Sequence, residues 1–125
     1  MAGYTDLRVW QSSMDLVESI YVLTARFPRE ERYGLTAQMR RASVSIPSNI
    51  AEGYGLEQPG YVAQSLRIAL GSTRELETQL MLASRLKMVD DSVSETARRQ
   101  CDDVGRMLRG LITSVSRRLP PTDND

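Results

Sequence analysis

The chain contains no histidine and only one cysteine, Cys101, among its 125 residues. Without an imidazole there is no Ser-His-Asp or Cys-His catalysis, no His-ligated metal and no histidine pH switch. A lone thiol forms neither an internal disulfide nor a cysteine-rich zinc site, and it points to a reducing, cytoplasmic setting. Net charge is absent too: 16 basic and 16 acidic side chains cancel. No global field therefore recruits nucleic acid or an anionic membrane, which leaves only local patches. No stretch approaches the roughly 18 uninterrupted apolar residues of a membrane span. Met1 to Gln11 lacks the basic-then-apolar order of a signal peptide. These absences argue against an enzyme, a cofactor, a metal site, a small-molecule substrate and a membrane partner.

What is present is an ordinary globular composition, with 41% apolar and 26% charged residues. The length suits one domain. We assign residues 1–119 to that domain and 120–125, Pro-Pro-Thr-Asp-Asn-Asp, to a polar tail that frays.

Four segments carry helical periodicity and none alternates with period two. The first runs from Asp6 to Phe27, with Thr5 or Asp6 as candidate N-cap and Pro28 after its end. Leu7, Trp10, Met14, Val17 and Tyr21 form one stripe, and Leu16, Ile20, Leu23 and Phe27 a second beside it. The second predicted helix covers Leu35 to Ala51 or Gly53. Pro47 in its middle removes a hydrogen bond and predicts a kink, or else a break into two short helices. Gly53, Gly55, Pro59 and Gly60 read as a breakpoint. From Pro59 to Lys87, positions Val62, Leu66, Ala69, Thr73, Leu76, Leu80, Ala83 and Lys87 step by four and three, a heptad-like seam. A second face of that helix mixes Ile68, Ser72, Glu75, Gln79, Leu82 and Leu86. Ser92 to Glu95 reads as a capping box opening a fourth helix, with Val93, Ala97, Cys101, Val104, Leu108, Leu111 and Val115 inward. Short connections predict an all-α, antiparallel up-down-up-down four-helix bundle with a kinked second helix. Its expected core is Leu7, Trp10, Met14, Met39, Ile46, Leu66, Leu76, Leu80, Leu108 and Leu111.

The motifs extend this reading. Asp6-Leu7-Arg8-Val9-Trp10-Gln11, the connector Phe27 to Thr36 and the run Gln38 to Gly53 resemble the 23S rRNA intervening-sequence proteins. Within that run, Ser45-Ile46-Pro47-Ser48-Asn49-Ile50-Ala51-Glu52-Gly53 is the most specific part, and Gly71 to Leu80 continues the likeness. The resemblance implies a four-helix bundle without established enzymatic activity. It extends to the accessory variability protein of diversity-generating retroelements, a pentameric bundle associated with nucleic acid and a reverse transcriptase. It thus implies a homo-oligomer, a pentamer, with RNA or another protein as further partner.

Three residue sets are candidates for function. Arg40, Arg41, Asn49 and Glu52 could read phosphate or a base edge. Alternatively they form a structural network tying the second helix to Glu75 or Gln79 on the third. Arg98, Arg99, Arg106 and Arg109 on the fourth helix could contact RNA, or simply be a solvated face. The surplus apolar residues of the first and third helices, represented by Ile20, Ile68 and Leu82, predict an oligomer interface, since a monomer would expose too large a patch. The acid pairs Glu75/Glu77 and Asp102/Asp103 diverge on their helices and cannot act as a facing acid and base.

Overall fold

The computed structural model describes residues 3–118. Four α-helices account for most of it: α1 (Arg8–Thr24), α2 (Leu35–Gly55), α3 (Pro59–Arg85) and α4 (Asp91–Ser116). The tail from residue 119 onward, including the expected fraying segment, lies outside the described residues.

Each helix packs closely on its sequence neighbours, and α1 closes the ring on α4; among the described residues the backbones of α1 and α3, and of α2 and α4, lie farther apart, diagonal across the core. The directions follow from the cross-links. Ser45 meets Ser72 while Gly53 abuts Ser65; Ser94 bonds Leu80 while Arg67 bonds Ser116. Partner numbers fall along one helix as they rise along the other, so the neighbours are antiparallel. The fold is the all-α four-helix bundle that the periodicity predicts.

The core is continuous from Val9 to Leu108 and includes the completely buried Leu16, Ile20, Met39, Ile46, Ile50, Leu66, Leu76, Leu80 and Leu108. Each such aliphatic side chain contributes roughly 1.5–3 kcal/mol by leaving water. The α3 seam is buried at every position except Lys87. Thr73 is tolerated there because its hydroxyl donates to the Ala69 carbonyl at 2.8 Å.

The phase of α1 differs from expectation. Its core stripe is Val9, Ser13, Leu16, Ile20 and Leu23, while Met14 and Tyr21 are exposed and Leu7 and Trp10 only half-buried. Ser13 hides this stripe in the sequence, although inside the bundle its hydroxyl is satisfied by the Trp10 carbonyl at 2.8 Å. Ile20 is therefore a core residue, not the interface residue that the two-stripe reading made it. Leu111 is likewise half-buried at the edge of the core.

The ends also move. α1 is capped by Leu7, not Thr5 or Asp6, after a 3-10 turn over Tyr4–Asp6. α2 passes unbroken through Pro47 and runs beyond Gly53 to Gly55. The chain turns instead at Glu57, which takes the left-handed conformation at φ 57°. α3 ends similarly at Lys87 (φ 59°), where Lys87 N–H bonds the Ser84 carbonyl and Met88 N–H the Ala83 carbonyl. That is a Schellman closure with lysine in the position glycine usually fills. The capping box is not formed: α4 starts at Asp91, whose carboxylate accepts from the Ser84 hydroxyl. Val93 consequently faces solvent and Ser94 takes the inward place, donating to the Leu80 carbonyl at 3.1 Å.

Candidate functional site

Heptad repetition places polar residues of α2 and α3 side by side on one flank of the bundle. Gln38, Arg41, Ala42 and Ser45 of α2 face Ser72 and Glu75 of α3 across a shallow cleft of about 200 Å³. A short relay crosses it. The Asn49 amide donates to the Ser45 carbonyl at 2.8 Å and to the Ser45 hydroxyl oxygen at 2.9 Å. Because Ser45 Oγ already accepts from Asn49, its own proton is free for Ser72 Oγ, 2.9 Å away. Further along, Gln79 Nε2 donates to Glu75 Oε2 at 3.3 Å, while the buried Gln79 Oε1 has no protein partner among the described residues.

Not every residue of the predicted set joins this strip. Arg40 turns the other way: its Nε donates to Thr24 Oγ1 at 2.9 Å and its Nη2 to the Tyr21 carbonyl at 3.3 Å. Its guanidinium lies 4.5 Å from the centre of the Tyr21 ring. Arg40 thus clamps α2 to the last turn of α1, where the helix dipole favours a cation. Glu52 is exposed and bonds none of the others. The expected Arg–Glu pairing between α2 and α3 does not form. The ion pairs among the described residues are Arg74–Glu77, Arg99–Glu95 and Arg106–Asp103, each within one helix. The side-chain hydrogen bond that joins α2 to α3 among the described residues is the serine pair, a partnership without a signature in sequence, because Ser72 reads as one small polar residue among many.

Around the strip lies apolar surface. Ile68 and Leu82 are 45% and 44% exposed on α3, and Leu86 continues the same flank. An interface of this kind has adaptable hydrogen-bonding groups between apolar anchors. The α4 arginines are arranged differently. At about 100° of rotation per residue, Arg98 and Arg109 lie on one line and Arg99 and Arg106 on another. Arg99 is bonded to Glu95 at 2.8 Å and Arg106 to Asp103. Arg98 is half-buried, with its Nε out of solvent and unbonded among the described residues.

The sequence profile of the 23S rRNA-intervening sequence protein family matches residues 5–110. The chain belongs to this family. No curated protein matches it. Among solved structures, this intervening-sequence protein is similar to a protein of unknown function from the S23 ribosomal protein family of Bacteroides thetaiotaomicron VPI-5482. The two share 23% identity and a TM-score of 0.78, over 84% of this chain and 95% of that one. At such identity the likeness concerns the fold alone, and it agrees with the bundle described above.

The intervening-sequence family match includes the whole α2–α3 strip and stops in the last turns of α4. Within it the one thiol is not poised for chemistry. Burial, reinforced by the Glu77 and Asp102 carboxylates and opposed by Arg74, pushes Cys101 up to about 12. It stays protonated and packs as a small apolar residue. Burial also raises Tyr54, against the opposing charge of Arg118. No helix among the described residues is long and apolar enough to cross a membrane.

Proposed function

We propose that this family member is a non-enzymatic assembly protein of the cytoplasm, which self-associates through the outer flank of α2 and α3 and serves as a scaffold. The observation that carries this reading is the exposure of Ile68, Leu82 and Leu86 on one side of α3, where no other helix covers them. Arg41, Ser45, Ser72 and Glu75 between them supply the directional contacts that set a register. The resemblance to a pentameric relative gives five as the copy number. A chain with no histidine and a buried, proton-bound thiol fits a non-catalytic role. RNA binding through α4 is the weaker reading, since Arg99 and Arg106 are each neutralised by an acid on their own helix.

Light scattering on the purified protein tests the proposal. The expected result is a mass several times the 14.0 kDa chain, falling to one chain in Leu82→Glu with helicity unchanged by circular dichroism. A wild-type mass of one chain at micromolar concentration overturns it.

A further inference from the structure

Among the described residues the bundle is open at one end. There α1 and α3 begin and α2 and α4 finish, and the helix ends surround a hollow of about 680 Å³. Its apolar wall includes Tyr4 and Leu7 at the start of the chain, Tyr54 of α2, Val62 of α3 and Val115 of α4. Tyr4 is held by Trp10, with the two rings tilted and their centres 5.7 Å apart. Three exposed charged residues, Asp6, Glu57 and Arg118, stand around the same hollow. Arg118 is also where the description of the chain ends.

We infer that the hollow is the receptor for the chain's own next residues, Leu119-Pro120-Pro121, which plug the end of the bundle. The inference concerns the single chain and is independent of self-association. Position is the first argument. Arg118 lines the hollow, so Leu119 needs no connecting loop to enter it, and three extended residues reach roughly 10 Å. An occupant tethered this closely costs little closure entropy. Direction is the second. Leu108, Leu111, Val115 and Leu119 step by three, four and four, which carries the inward line of α4 to the open end of the core. Pro120 disfavours helix at Leu119, which keeps α4 from running on past the hollow. Chemistry is the third. Pro120 and Pro121 have no N–H, so the segment brings few donors that burial would leave unpaired. Aromatic faces such as those of Tyr4 and Tyr54 are the surfaces on which proline-rich segments dock. Asp6 and Glu57 repel Asp123 and Asp125, which confines the plug to the residues before those acids.

The test is methyl NMR on the full-length protein. The expected result is a set of nuclear Overhauser contacts from the Leu119 methyl groups to the Tyr54 ring, assigned by their loss in Leu119→Asp. Their absence from the wild type overturns the inference. So does their appearance in a mixture of leucine-labelled and tyrosine-labelled copies, which would seat the segment in a neighbouring chain. Nitration by tetranitromethane, mapped by mass spectrometry, reads the same place independently. Tyr54 should react several-fold faster in Leu119→Asp than in the wild type. Tyr33, 85% exposed and away from the hollow, should keep its rate. An unchanged Tyr54 rate overturns the plug, and so does equal acceleration at both tyrosines, since the effect is then not confined to the hollow.

Discussion

The α2–α3 seam and the α1–α4 seam are opposite sides of one bundle, built from different kinds of residue. At α2–α3 small residues let the backbones approach. A Cβ added to Gly53 would stand 2.6 Å from Ser65 Cβ and 2.9 Å from its Oγ. Ser45 and Ser72 then touch directly across the same seam. At α1–α4 the helices approach less closely, and a groove opens where Val22 and Val93 stand in solvent. Hydrophobic burial alone does not distinguish the seams, since both rest on the same continuous core. The difference lies above the core: one seam is closed by a hydrogen bond and close approach, the other opens into a groove.

The largest single effect that would break this comparison is at Gly53. Its glycine is required by closeness, not by a turn, since α2 continues past it. The atom it would meet is a Cβ, which cannot swing aside as the end of a long side chain can. Gly53→Ala should therefore destabilise the protein by about 1–3 kcal/mol, the usual range for overpacking, measured by urea unfolding. Gly55→Ala, with nothing within 4 Å of the added carbon, is the control. Similar stability of the two variants would show that the seam is looser than described.

A smaller effect is expected where α1 is fastened to α2. Arg40→Met keeps the aliphatic stem but removes the bonds to Thr24 and Tyr21 and the stacking on the Tyr21 ring. A loss of about 1 kcal/mol is expected, the scale of one net hydrogen bond or one partly exposed cation–π contact. Arg41→Met, one residue away but exposed and without an ion pair among the described residues, should change stability by less than about 0.5 kcal/mol. Equal effects at the two arginines would contradict the division of labour between them.

That pair also marks how far the sequence could be read. Periodicity was enough to find the four helices, the α3 seam and the bundle, because a four-three spacing of apolar residues admits one helical face. It failed in α1, where the true stripe passes through Ser13 and a competing stripe of larger residues lies beside it. Helix-line geometry put Arg41, Ser45 and Asn49 on one line of α2, but it could not see that Arg40 turns to α1. Its partners, the Thr24 hydroxyl and the Tyr21 carbonyl, carry no signal until the end of α1 is in place. The capping box failed for a related reason: a local pattern at Ser92 lost to a tertiary bond between Ser84 and Asp91.

The smallest expected effect sharpens the comparison most. If the α1–α4 groove contributes nothing to the single chain, Val22→Ser and Val93→Ser should each change its stability by less than about 0.5 kcal/mol, as exposed substitutions do. The measurement belongs in a Leu82→Glu background, where self-association is blocked and the urea midpoint reports the lone bundle. Association stabilises by mass action, so the wild-type midpoint should rise with protein concentration, and Leu82→Glu should abolish that rise. A loss well above 1 kcal/mol in the dissociated background would mean that Val22 and Val93 pack within the chain, closing the groove in solution.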